Sequence, residues 1–150
     1  QAGAGPAGGP GPAAPGAERF LISARLEREV REIDDPDERR AFLAAAGIDA
    51  PGLARLNAAA YDRLGLMSFY TVGPDEVRAW TIRRGALAPE AAGRIHSDLA
   101  RGFIRVEVIK YDDLLAAGSE KGVKDQGRAH LRGKDYAMED GDICHFLFSV

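Results

Sequence analysis

The strongest constraint on this chain is a change of character at Met67. Met67 to Val72 and Val77 to Ile82 are rich in aromatic and β-branched residues, and Val72-Gly73-Pro74-Asp75 between them is turn chemistry, so the two runs predict a hairpin. Ala88, Ala91, Ala92, Ile95 and Leu99 then trace one helical stripe, with Pro89 near its start and Gly102 after its end. Phe103 to Lys110 returns to strand character, with Ile104, Val106 and Val108 on one face and Arg105 and Glu107 on the other. Short helices are expected over Asp112 to Ala117, stopped by Gly118, and Glu120 to Gln126, stopped by Gly127. Turns at Gly133-Lys134 and Asp140-Gly141 punctuate brief strands, and Ile143 to Ser149 places Cys144, Phe146 and Phe148 on one face of the last.

Hairpin, helix, strand and paired C-terminal strands are the order of an α+β, ubiquitin-like β-grasp, a mixed sheet packed on one main helix, placed at residues 68–150. A different segment, 18–67, precedes it. Phe20-Leu21-Ile22 reads as a buried strand running into a helix marked by Leu26, Val30 and Ile33. Asp35-Pro36-Asp37-Glu38 supplies a cap, a proline at the first helical position and early carboxylates for a second helix ending at Gly47. A third is expected from Gly52 to Leu64, with Leu53, Leu56, Ala60 and Leu64 inward and Gly65 as its cap. Residues 1–17 are almost wholly Gly, Pro and Ala and hold too little apolar surface to offset the entropy of ordering, which reads as a disordered linker or loop.

A net charge of −3 argues against a strongly cationic nucleic-acid binder, yet residues 76–110 carry seven Lys/Arg against four Asp/Glu. No apolar run approaches the roughly 20 residues that cross a bilayer, so a cytoplasmic protein is expected. The chain begins with Gln, which suggests a fragment of a longer product.

Catalytic constellations are thin. No G-x-x-x-x-G-K-[ST] phosphate loop occurs, and the glycines and lysine of Gly118 to Lys124 have the wrong spacing for one. Asp62-Arg63-Leu64-Gly65 matches a loose D-x-x-G pattern, but Gly65 serves better as a helix cap. His96 and Asp98 lack a third ligand and read as a helix-end polar cluster, so no catalytic and no metal-ligating residue is assigned. Cys144 shares a face with two phenylalanines and reads as an inert buried thiol. Arg83, Arg84, Arg94, Arg101 and Arg105 remain: if their elements adjoin, they converge on a phosphate backbone; otherwise they are a solvated surface.

Val77-Arg78-Ala79-Trp80-Thr81-Ile82-Arg83, Ala88-Pro89-Glu90-Ala91-Ala92-Gly93, Ile95-His96-Ser97-Asp98, Gly102-Phe103-Ile104-Arg105, Tyr111-Asp112-Asp113, Gly133-Lys134-Asp135-Tyr136 and Asp140-Gly141-Asp142 stand in an order that closely resembles the C-terminal TGS domain of the YchF family, the Obg-like P-loop ATPases. Upstream, Ile22-Ser23-Ala24-Arg25-Leu26-Glu27 resembles that family's last nucleotide-binding motif, and 18–67 the helical end of its G domain. The resemblance implies an ATP-preferring, ribosome-associated relative of translational GTPases. ATP and Mg2+ would be cofactors of the parent protein and not held by this chain alone. Ser23 and Ala24 would lie beside the purine. The TGS domain would dock on the ribosome, its large subunit, or on RNA, through the five arginines, with the upstream G domain as partner and no membrane. Ala86 stands where the family usually has Thr, and Val106 where it usually has Ala. Without its phosphate loop the chain should be inactive alone. The competing expectation is a stand-alone TGS adaptor that binds ribosomes or RNA without nucleotide.

Overall fold

The computed structural model describes residues 19–20, 22–73 and 75–149. The linker expected at 1–17 lies outside them, as do Leu21, Pro74 and Val150. The chain divides into two compact units between Ala59 and Ala60.

In the first unit, α1 (Ala24–Arg31) starts where the Leu26 amide donates to Ser23 Oγ at 3.3 Å. At the start of α2 (Pro36–Ala45), Asp35 Oδ1 accepts from the amides of Asp37 at 2.7 Å and Glu38 at 3.2 Å, satisfying donors a helix start leaves free. Glu27 reaches forward to accept from the Gly52 amide, at the first residue of α3 (Gly52–Arg63), whose last residues belong to the second unit. A Cβ on Gly52 would come within 2.9 Å of Ile22 Cγ1 and 3.0 Å of Glu27 Oε1, so this approach requires glycine. The buried apolar residues of the unit are few, chiefly Val30 and Leu43.

The strand expected at Phe20-Leu21-Ile22 includes Leu21, which lies outside the described residues; Phe20 and Ile22 belong to no helix or strand. One expectation fails here. Leu53, Leu56 and Leu64, expected inward, are exposed: the helical period is real, but no layer within their own units covers them.

The second unit holds β1 (Leu66–Val72), β2 (Val77–Arg83), α4 (Ala88–Ile95), α5 (Ser97–Arg101), β3 (Phe103–Ile109), α6 (Tyr111–Ala117), α7 (Glu120–Asp125), β4 (His130–Arg132) and β5 (Ile143–Phe148). The sheet runs β2-β1-β5-β3-β4, all antiparallel except the central β1–β5 pair. This is the mixed, β-grasp sheet expected. Ala88, Ala91 and Ala92 are fully buried; their small side chains bring α4 close to Phe69, Val106 and Phe146. Phe146 meets Phe69 edge-on at 5.8 Å and Phe103 at 6.3 Å. On the opposite face, Ile109, Val123 and Ile143 form a smaller cluster beneath α6 and α7.

The single helix expected over residues 88–99 is two. His96 is extended (φ −159°, ψ 144°), ends α4 and caps α5, its Nδ1 accepting from the Asp98 amide at 3.2 Å. In β3 the ladder shifts between Phe103, opposite Phe148, and Arg105, opposite Leu147. The bulge skips Ile104, which is half exposed instead of sharing the core face with Val106 and Val108. At this same end of the ladder Phe148, opposite Phe103, is exposed, so only Cys144 and Phe146 of its trio enter the core.

Candidate functional site

The five arginines do not form one face. Arg83 ends β2 and lines, with Arg94 of α4, a cavity of about 460 Å³ floored by Ile82 and Ala86; Glu90 also borders it. Arg94 Nε donates to the Thr81 carbonyl at 3.2 Å, which fixes its stem beside β2. Arg84 points elsewhere, between Asp62 at 3.8 Å and Asp140 at 4.0 Å. Arg101 is paired with Asp98 one turn back along α5. Arg105 lies on β3, and strand order puts β1 and β5 between β3 and β2, about three spacings or roughly 14 Å across. The central β1–β5 pair is the reason: it occupies the positions that direct adjacency of β2 and β3 would need. Arg83 and Arg105 have no ion-pair partner among the described residues, and both are exposed.

Ser23 and Ala24 are exposed at the start of α1. The Ser23 hydroxyl accepts the Leu26 amide and its carbonyl accepts the Glu27 amide at 2.9 Å, so the Ser-Ala step is fixed by helix capping whether or not a base lies against it. Among the described residues no group of three or more His, Cys, Asp or Glu could hold a metal ion.

The most connected polar cluster was missed by sequence reasoning. Asp142 has no exposed surface, yet its carboxylate accepts three hydrogen bonds: from Lys110 Nζ at 2.5 Å, Tyr136 Oη at 2.8 Å and the Glu139 amide at 2.9 Å. Lys110 also donates to Glu139 Oε2 at 2.9 Å and to Tyr136 Oη at 3.2 Å. Burial works against the Lys110 ammonium, but these bonds together outweigh it and raise its pKa. Burial first, then the hydrogen bond to Asp142, pushes Tyr136 up to about 12. Arg132 and Lys110 both lie near the Tyr136 ring, at 5.6 and 5.9 Å. The signal was present: Tyr136 and Asp142 stand in two of the quoted motifs, and Lys110 directly precedes a third. Cys144, close by, is raised by burial and then by the Asp142 charge.

A family model, YchF-GTPase_C, described as "Protein of unknown function (DUF933)", matches residues 66–149. The chain belongs to the YchF family. It is 47% identical over 134 residues to the ribosome-binding ATPase YchF of Bacillus subtilis, covering 89% of this chain and 36% of that protein. It is 44% identical over 136 residues to the human Obg-like ATPase 1, covering 91% of the chain and 34% of the relative. The solved structure of the Schizosaccharomyces pombe YchF GTPase superposes with a TM-score of 0.72 at 33% identity, over 89% of this chain and 35% of that one. This YchF-family chain thus spans about a third of the length of these relatives.

Proposed function

We propose that this chain is the docking portion of an ATP-preferring, ribosome-binding YchF-type ATPase, with residues 68–150 as a TGS-like domain and 18–67 as the end of a G domain. The observation that carries the reading is the 47% identity to a ribosome-binding ATPase over 134 residues, a length that takes in parts of both segments. Exposed Leu53 and Leu56 in the first unit support it, since a small helical unit that cannot cover its own apolar stripe is expected to pack on the rest of a larger domain. The stand-alone adaptor is the less favoured reading, because relatives spanning both segments are named as ATPases.

In this reading Ser23 and Ala24 form a wall beside the purine, while magnesium and the triphosphate are held by a phosphate loop that these 150 residues do not contain. The protein works in the cytoplasm. The TGS-like domain meets ribosomal RNA, on the large subunit, through exposed arginines. Arg83 and Arg105, unpaired and on strands about 14 Å apart across the sheet, suit separate phosphates of one strand. Arg94 borders the same cavity as Arg83 and adds to its positive charge. Arg84 and Arg101, already paired with carboxylates, contribute less.

Co-sedimentation of the chain with ribosomes tests the docking. Arg83→Glu with Arg105→Glu should weaken pelleting and lower the salt dependence, by about one unit of slope per lost phosphate contact. Pelleting unchanged across a salt titration would remove these arginines from the interface. Labelled ATP tests the other half: a protein extended upstream through a phosphate loop should bind it, and Ser23→Trp should weaken that binding by crowding the base. Tight ATP binding by the 150 residues alone would contradict the proposed division of labour.

A further inference from the structure

A cavity of about 770 Å³ in the second unit is not lined by any of the five arginines. It opens between the tip of the β1–β2 hairpin, the start of α6 and the 139–141 turn. Its apolar surface comes from Tyr70, Val72, Val77, Leu114 and Ile143, and Val77 is left 68% exposed at the mouth. Tyr111, 57% exposed, adds an aromatic wall. A large exposed apolar concavity is costly in a monomer unless something covers it.

The rim decides what kind of occupant fits. Asp112, Glu139 and Asp140 border the cavity against one cation, Lys110, whose ammonium is already committed to buried Asp142 and to Glu139. Asp112 has no ion-pair partner among the described residues, and Asp140 has only Arg84 at 4.0 Å. Such a rim repels phosphate and attracts cations, while the floor offers nothing to a hydrated metal ion and much to carbon. Several carboxylates around one apolar floor call for several cations around one apolar anchor. We infer that this cavity docks a linear protein segment in which a leucine-like or aromatic anchor is flanked by Lys and Arg. The inference does not rest on the ribosome reading: its partner is protein, and its surface lies apart from Arg83 and Arg105.

The test is fluorescence anisotropy of the full chain with the labelled hexapeptide Arg-Lys-Leu-Leu-Lys-Arg, beside versions with both leucines changed to serine or all cations changed to glutamate. Binding of the first peptide alone is expected. Asp112→Lys should weaken it about tenfold and Val77→Asn severalfold, and both positions are exposed, so the fold should survive. No binding below about 100 µM would overturn the inference. So would equal binding of the leucine and serine peptides, which would mean charge attraction alone, or indifference to Asp112→Lys. A single-stranded RNA that displaces the peptide and is itself sensitive to Asp112→Lys would also overturn it, reassigning the cavity to nucleic acid.

Discussion

Replacing Asp142 by Asn keeps the shape of the side chain and removes its charge. The carboxylate accepts three bonds from three donors: an ammonium, a phenol and an amide N–H. A carboxamide has one oxygen, and its NH2 must face at least one donor, so at least one of the three bonds is lost and the others weaken. Hydrogen bonds to a charged group are worth about 1.5–3 kcal/mol each, and losing one member of a buried pair costs about 3–5 kcal/mol. Lys110 is partly exposed and can turn toward Glu139 or water, which moderates the loss. We expect Asp142→Asn to cost about 3 kcal/mol, or roughly 12–20 °C in the melting of a unit this size. Lys110→Met should cost less, since Tyr136 and the Glu139 amide still hold the carboxylate. Glu139→Gln, at a side chain 67% exposed, should stay within about 0.5 kcal/mol. Urea and thermal unfolding of the three variants give the ranking. A loss below about 1 kcal/mol for Asp142→Asn, or a Glu139→Gln variant equally damaged, would refute the view that the buried carboxylate organises this corner.

Other outcomes follow from the same geometry. Lys110 and Tyr136 both bind their protons more tightly folded than unfolded, so their contribution to stability is complete below about pH 10 and declines as pH rises toward 12; melts from pH 7 to 12 should show a flat region and then a fall that Tyr136→Phe makes shallower. A Cβ at Gly102 would stand 2.0 Å from the Ser149 carbonyl oxygen, a backbone atom, so Gly102→Ala should cost about 2–3 kcal/mol by prying β3 from β5, read by urea denaturation. Val106 is completely buried against α4, so Val106→Ala should lose about 2 kcal/mol in the same assay. Asp35→Ala removes both capping bonds of α2 and should cost about 1 kcal/mol, seen as lost helical dichroism and a lower melting point.

The fold of the second unit was legible because its signals are local and agree with one another. The hairpin, the alanine stripe and the glycines at 118 and 127, both with positive φ in the structure, each name an element without reference to anything distant. What could not be read was the offset between elements. The bulge at Ile104 arises where β3 meets β5, forty residues later in sequence, and alternation within β3 carries no record of it. The break at His96 is similar: helix propensity runs through it, and only the packing of α4 and α5 on the sheet reveals the extended residue. In the first unit the helical period was read correctly and its burial was not, since period reports which residues share a face and not whether anything covers it.

The polar sites divide along the same line. Motif residues flagged the Asp142 corner, yet nothing in the spacing of Lys110, Tyr136 and Asp142 says that they meet; only the order of β1, β5 and β3 brings the end of β3 beside the turn before β5. The arginines show the converse. Convergence of the arginines was conditional on their elements adjoining; β2 and β3 do not adjoin, since two strands lie between them, while Arg83 and Arg94 border one cavity. One strand order therefore makes a buried charged hub from residues far apart in sequence and separates neighbours in sequence onto distinct surfaces. It leaves the molecule with an arginine-bordered edge at β2 and, at the hairpin tip, an apolar cavity ringed by carboxylates. Those two surfaces have opposite electrostatic preferences, so a phosphate backbone and a basic protein segment can be held at once without competing for the same groups. Simultaneous occupancy is the observable consequence: saturating the chain with the basic hexapeptide should leave its ribosome pelleting unchanged, and mutual exclusion would show that the two surfaces serve a single ligand.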